Sequence, residues 1–184
     1  MNRTLIIKAV LGLVGLLVFA GLTGLLLREP ITAAGEWLLD TFGLAGLFVG
    51  VLLTDTSPIP MTHEPVLFLG ISAGEDFWHL LAVGASASVC AGPVGWSCGR
   101  LLRRNERFRA WIYGRFPNLV GFMEQHGAKG VAVAALLPIP FAVSTWLSGM
   151  SDVKFLPLLS ASLLRIPKTA FYLWLLDIGW SIGG

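Results

Sequence analysis

The chain alternates long apolar runs with short segments where prolines, acids or arginines interrupt them. Residues 4–27 carry a single charge, Lys8, near the start of an otherwise apolar stretch. At 1.5 Å per residue such a stretch is long enough to cross a hydrocarbon core of ~30 Å. In residues 28–43, Ile31, Trp37, Leu38, Leu39 and Phe42 are set against Glu36 and Asp40. That pattern predicts a short interfacial helix with Trp37 at headgroup level. Residues 44–53 are apolar but about half the length that a spanning helix needs, so they do not cross alone. The stretch 55–74, "DTSPIPMTHEPVLFLGISAG", then places Asp55, His63 and Glu64 on backbone that Pro58, Pro60 and Pro65 keep from forming a regular helix.

The second half repeats the alternation. Residues 77–99 are long enough to span and rich in small residues, among them Gly84, Ala85, Ser86, Ala87, Ser88, Ala91 and Gly92, which in lipid permit close helix contact. Residues 100–127 are basic and amphipathic, with Phe108, Trp111, Ile112 and Phe116 set against Arg104, Arg107, Arg109 and Arg115. Residues 131–150 form an apolar run broken by Pro138 and Pro140, and residues 153–180 form a long run that contains Arg165, Lys168 and Asp177.

Two broken elements, each followed by a long one, point to a duplication. "SPIP" opens the first broken element at Ser57 and "LPIP" the second at Leu137, and the elements end in "SAGED" and "SGMSD". The next helices open on Phe77 and Phe155 and carry Ser-Ala-Ser triplets, and Pro93 follows Ser88 at the interval at which Pro167 follows Ser162. If Arg3 and Lys8 are cytoplasmic, the first broken element enters from and returns to the outer side, and residues 77–99 cross inward to the arginines. The second broken element then enters and returns on the cytoplasmic side, so the two units are inverted. Non-helical backbone at membrane depth is tolerated only where it is buried in protein or lines a wet cavity. Two opposed hairpins near the midplane are the arrangement in which secondary transporters hold substrate and coupling ion.

Composition agrees with this reading. With 55 % hydrophobic and 13 % charged residues and a mean hydropathy of +0.75, the chain is far more apolar than a soluble domain. Arg3 and Lys8 ahead of "TAAG" (32–35) read alternatively as a signal peptide. The apolar run exceeds the ~7–15 residues of such a segment, so a retained anchor is expected. The net charge of +2 is concentrated in Arg100, Arg103, Arg104, Arg107, Arg109 and Arg115. In a membrane protein these mark a cytoplasmic connection and not a nucleic-acid surface. Cys90 and Cys98 have neither the spacing nor the histidines of a zinc site, and no cofactor motif is present.

The stretches "PIPMTHEPVLFLGISAG", "GPVGWSCGR", "FMEQHGAKGVAVAALLPIPF" and "LSGMSDVKFLPLLSASLLRIP" resemble the DedA or VTT-domain (SNARE-associated) family of membrane proteins, from about residue 44 to 180. The resemblance implies two opposed re-entrant hairpins and a role in moving lipids across the bilayer. The cargo it implies is a phospholipid or a polyprenyl phosphate, with proton coupling in some members. Bacterial DedA proteins usually carry two arginines around the second-loop proline, roughly "RFxPxxR", where this chain has "ALLPIPF". That arginine pair is therefore not carried over, while Glu64 is.

The expected fold is an all-α membrane protein, a polytopic bundle with two inverted re-entrant helical hairpins. Its divisions are an anchor and interfacial helix (1–43), a first hairpin unit (44–99), a basic connection (100–127) and a second hairpin unit (128–184). Glu64 leads the candidate sites, because an acid at membrane depth is functional by default. Burial favours its protonated form and a nearby cation its charged form, which suits a group that loads and releases a proton. Asp55 is a second proton or ion site or a loop cap, and His63 is a relay to Glu64 or a structural hydrogen-bonding group. Arg165, near the middle of the last run, and Lys168 suit an anionic headgroup or the neutralisation of Glu64. Pro58, Pro60, Pro138 and Pro140 mark the re-entrant loops. "HEPVL" begins like a zinc protease motif, but it lacks the second histidine and Pro65 breaks the required helix, so no enzyme is expected. Membrane lipids are the expected partners. Gly12, Gly15, Gly21 and Gly24 would pack the first helix against a second copy, giving a homodimer, or against its own bundle.

Overall fold

The structure is a computed structural model that describes residues 3–59, 62–137, 139–151 and 153–182, apart from the side chains of 3–10, 13, 16, 23 and 24. Pro60, Pro138 and Asp152 lie outside the described residues. The elements are α1 (Arg3–Leu26), α2 (Arg28–Thr56), α3 (Glu64–Ser72), α4 (Phe77–Leu102), α5 (Glu106–Arg115), α6 (Pro117–His126), α7 (Ala128–Leu136), α8 (Phe141–Met150), α9 (Phe155–Ser162) and α10 (Arg165–Ile182). Among the described residues there is no strand, and α2 and α4 are long and apolar enough to cross a membrane. The all-α class expected from the hydropathy pattern therefore holds.

The 29 residues of α2 are not one straight rod, because Gly43 sits at φ 58° and ψ −159°. Glycine adopts such a backbone without a Cβ clash, and it separates a helix over 28–42 from one over 44–56. This is where the pattern divides an interfacial helix from a short apolar one.

The chain forms two compact units drawn from interleaved segments. The first consists of Met1–Phe48, Glu64–Gly84 and Thr169–Gly184. Within it α2 and α3 pack closely, since a Cβ on Gly70 would meet the Leu47 side chain of α2 at 3.2 Å. Phe68 of α3 stands edge-on to Trp180 of α10 with ring centroids 5.2 Å apart, and the Arg28 guanidinium lies over the same indole at 5.1 Å. Glycine also ends α3: Gly74 takes φ 78°, its N–H donates to Ile71 O, and the Glu75 N–H donates to Gly70 O. This pair of bonds satisfies carbonyls that the last helical turn leaves free. Asp76 then caps α4, its carboxylate accepting from Trp78 N at 2.9 Å and His79 N at 3.2 Å. Leu11, Val14, Val18, Leu22 and Leu25 of α1 are exposed, as expected of a face that meets lipid and not water.

The second unit consists of Val49–His63 and Ala85–Lys168. Its centre is α8, in which every residue from Phe141 to Gly149 is buried. Helix α8 turns its hydroxyls back on its own backbone: Ser144 Oγ donates to Pro140 O, Thr145 Oγ1 to Ala142 O and Ser148 Oγ to Ser144 O. Helices α7 and α8 flank the second proline break, and Val131, Ala135, Phe141 and Leu147 share a core with Leu158 of α9. The basic connection lies on the outside of this unit. Arg103, Arg104, Arg107, Arg109 and Arg115 are exposed, while Ile112 of α5 is fully buried. Asn105 caps α5, its side chain accepting from Phe108 N at 3.1 Å. Asn105→Ala is expected to weaken α5 by about 1 kcal/mol, read as faster hydrogen exchange in the first turn of α5 with α8 unchanged.

Candidate functional site

The site begins where α2 ends. Asp55 lies in its last turn, 5 % exposed. The carbonyls of a last helical turn lack intrahelical partners, and that of Thr56 accepts from the Trp146 indole of α8 at 2.7 Å. An aromatic side chain of the central helix thus fixes the position of the acid.

Arg165 reaches Asp55 from α10. The long run over 153–180 is two helices, separated by Leu163 and Leu164. Pro167 explains the break: it has no N–H to give to the Leu163 carbonyl, which accepts from Ile166 N at 3.1 Å instead. Arg165 therefore opens a helix, and the residue is 3 % exposed.

Four side chains converge. Asp55 Oδ2 accepts from Arg165 Nη2 and from Ser88 Oγ, and Ser88 Oγ accepts from Arg165 Nε at 2.7 Å. His63 Nδ1 lies 3.0 Å from Asp55 Oδ1 and 3.1 Å from Arg165 Nη2. The face of Phe141 lies under the guanidinium, 4.7 Å from ring centroid to Cζ. One ring nitrogen cannot donate to the carboxylate and accept from the guanidinium at once. A hydrogen on Nδ1 makes the bond to Asp55, and a bare Nδ1 makes the bond to Arg165. His63 Nε2 is buried and has no hydrogen bond among the described residues.

The other candidates are elsewhere. Glu64 is the first residue of α3, in the other compact unit, buried at 9 % exposure with Oε2 unpartnered. Its carboxylate makes no ion pair among the described residues, so Arg165 neutralises Asp55 and not Glu64. Lys168 Nζ donates to the carbonyl of Leu137 in the second break at 3.0 Å. Pro58 and Pro140 flank the two breaks, and Asp177 is exposed on α10. Of the glycines considered for a partner subunit, nothing lies within 4 Å of a Cβ on Gly12 or Gly15, whereas Gly21 faces the Gly179 carbonyl of its own chain at 3.5 Å. Sequence reasoning missed Ser88, the bridge of the cluster. Its one signal was the Ser-Ala-Ser triplet, which close helix packing also explains.

Apolar helices with exposed aliphatic faces, two of them of spanning length, together with an ion pair buried beside two proline breaks, define an α-helical membrane protein. The VTT domain family matches residues 59–178, and the chain belongs to that family. No curated protein and no solved structure matches it.

Proposed function

We propose that the chain is a lipid transporter of flippase or scramblase type. In this reading it moves an anionic phospholipid or a polyprenyl phosphate across the inner membrane, and proton movement is coupled to that transport. The observation that carries the reading is the buried Asp55–Ser88–Arg165 cluster in a membrane protein of the VTT family. A guanidinium is suited to a phosphate because its planar fork donates two parallel hydrogen bonds, and at membrane depth such a group is retained for function. The two helix–proline–helix hairpins, α2–α3 and α7–α8, are the re-entrant elements, and the broken backbone between their helices faces the path of the headgroup while the tails stay in lipid. The exposed arginines of 100–115 support a cytoplasmic side for that connection and for the N-terminus. Glu64, a buried carboxyl whose Oε2 has no partner among the described residues, is the proton-coupling acid.

The test is equilibration of headgroup-labelled anionic lipid across liposomes that contain the purified protein, with and without a pH gradient. Protein-dependent movement is expected, accelerated by the gradient in the wild type and less so in Glu64→Gln. No movement above empty liposomes across several anionic lipids would sink the lipid reading. Efflux of a small ion or drug under the same gradient would then point to a proton-coupled exporter, and its absence to an assembly role.

A further inference from the structure

With an imidazole that carries one hydrogen, the charges around Arg165 balance: one carboxylate against one guanidinium, all three groups buried. An anionic headgroup arriving there adds a negative charge that a buried site cannot leave uncompensated. The groups that face His63 are few. Asp55 comes from α2, Arg165 from α10 and the uncharged hydroxyl of Ser88 from α4, and α8 contributes only the ring of Phe141. Lys168 is turned to the Leu137 carbonyl, and Glu64, next in the chain, has no ion pair among the described residues. His63 is thus the one member of the cluster able to gain a positive charge. Its buried Nε2 has no partner among the described residues, and neither does the buried hydroxyl of Thr56 beside Asp55. A native site leaves such atoms unpaired only for a reason, an absent ligand among them.

We propose that this cluster is an anion site that takes up one proton with each phosphodiester it binds, and that His63 receives the proton. With both ring nitrogens protonated, Nδ1–H donates to Asp55 Oδ1 and Nε2–H becomes a donor for the phosphate. His63 can then no longer accept from Arg165, so the Nη2 hydrogen it held is released toward the incoming anion while Nη2 keeps its bond to Asp55 Oδ2. The proton is taken from water on one side of the bilayer and is lost when the headgroup leaves. The proposal rests on the transporter reading only for the lipid identity of the ligand.

The experiment is calorimetric binding to the full chain in detergent, in buffers of different ionisation enthalpy, between pH 6 and 8. The probes are dihexanoylphosphatidylglycerol and dimethyl phosphate, both permanent monoanions over that range, so every proton taken up belongs to the protein. Expected are uptake of about one proton per lipid bound and affinity that tightens by up to tenfold for each pH unit of fall. His63→Asn, which keeps a donor toward Asp55, loses both effects. Dimethyl phosphate binding with the same uptake assigns the site to the phosphodiester alone. Lipid binding without dimethyl phosphate binding assigns it to lipid. Binding of neither probe, binding without uptake, or uptake unchanged in His63→Asn overturns the proposal.

If melting shows His63→Asn to be misfolded, carbon-13 histidine spectra of the wild type serve, with His79→Gln and His126→Gln assigning the two exposed rings. Added lipid is expected to raise the protonated fraction of His63 at fixed pH, and an unmoved signal overturns the site. Proton-coupled binding without lipid movement in liposomes would support this site and remove the transporter reading. Lipid movement whose pH dependence is the same in His63→Asn as in the wild type would overturn the site and leave that reading in place.

Discussion

Replacing Arg165 with methionine alone is expected to destabilise the protein by about 3–5 kcal/mol, whereas Asp55→Leu together with Arg165→Met leaves stability within about 1 kcal/mol of the wild type. The asymmetry follows from burial. With Asp55 at 5 % and Arg165 at 3 % exposure, removing the guanidinium leaves a carboxylate that neither water nor a second cation screens, with only Ser88 and His63 to donate to it. Removing both charges leaves an apolar gap that methionine and leucine fill. Denaturant unfolding of the three proteins in detergent measures this. The double variant is expected to fold and to move no lipid, which separates holding the fold together from gripping a headgroup. Equal destabilisation of single and double variants would make the cluster a packing unit, and wild-type lipid movement in the double variant would place the transport path elsewhere.

Much of this architecture is legible in the chain, and particular residues show where legibility stops. The helices on either side of the two proline breaks follow from apolar runs interrupted by prolines, and the division of α2 follows from a change of pattern at Gly43. "SAGED" reads as a turn and is one, with Gly74 at positive φ and Asp76 capping α4. The repeat is imperfect in structure for a reason the sequence states only in part. Helix α4 continues through Pro93, while the run that contains Pro167 divides at Leu163 and Leu164. Choosing between Asp55 and Glu64 as the partner of Arg165 lay beyond the sequence. Both acids flank the same broken stretch, and the direction each faces depends on how the loop after Ser57 is folded. The bridge at Ser88 spans 33 residues back to Asp55 and 77 forward to Arg165, separations at which no periodicity operates.

The second large effect is expected from a single methyl group. Gly99→Ala and Gly149→Ala should each destabilise the protein by about 3 kcal/mol, at the upper end of what overpacking costs, while Gly114→Ala and Gly121→Ala should stabilise it by a few tenths to about 1 kcal/mol. Helices α4 and α8 meet backbone to backbone. A Cβ on Gly99 would overlap the Trp146 carbonyl, with its carbon at 2.9 Å. One on Gly149 would overlap the Trp96 carbonyl, with its carbon at 2.9 Å and the Arg100 nitrogen at 2.8 Å. Side-chain ends swing away from such contacts, but two backbones separate only if the helices move apart, and that outweighs the helix propensity alanine gains. Gly114 and Gly121 have nothing within 4 Å of a Cβ, so there the propensity gain stands alone. The consequence for function runs through Trp146. Its backbone meets Gly99, and its indole holds the Thr56 carbonyl that ends α2 beside Asp55. Parting α4 from α8 therefore shifts the acid relative to Arg165, and lipid movement is expected to fall further than the folded fraction does. Thermal unfolding of the four variants beside their transport rates decides this. Loss of transport in strict proportion to folded protein would confine the glycines to packing, and unchanged stability in Gly99→Ala and Gly149→Ala would show that the helices do not meet this closely.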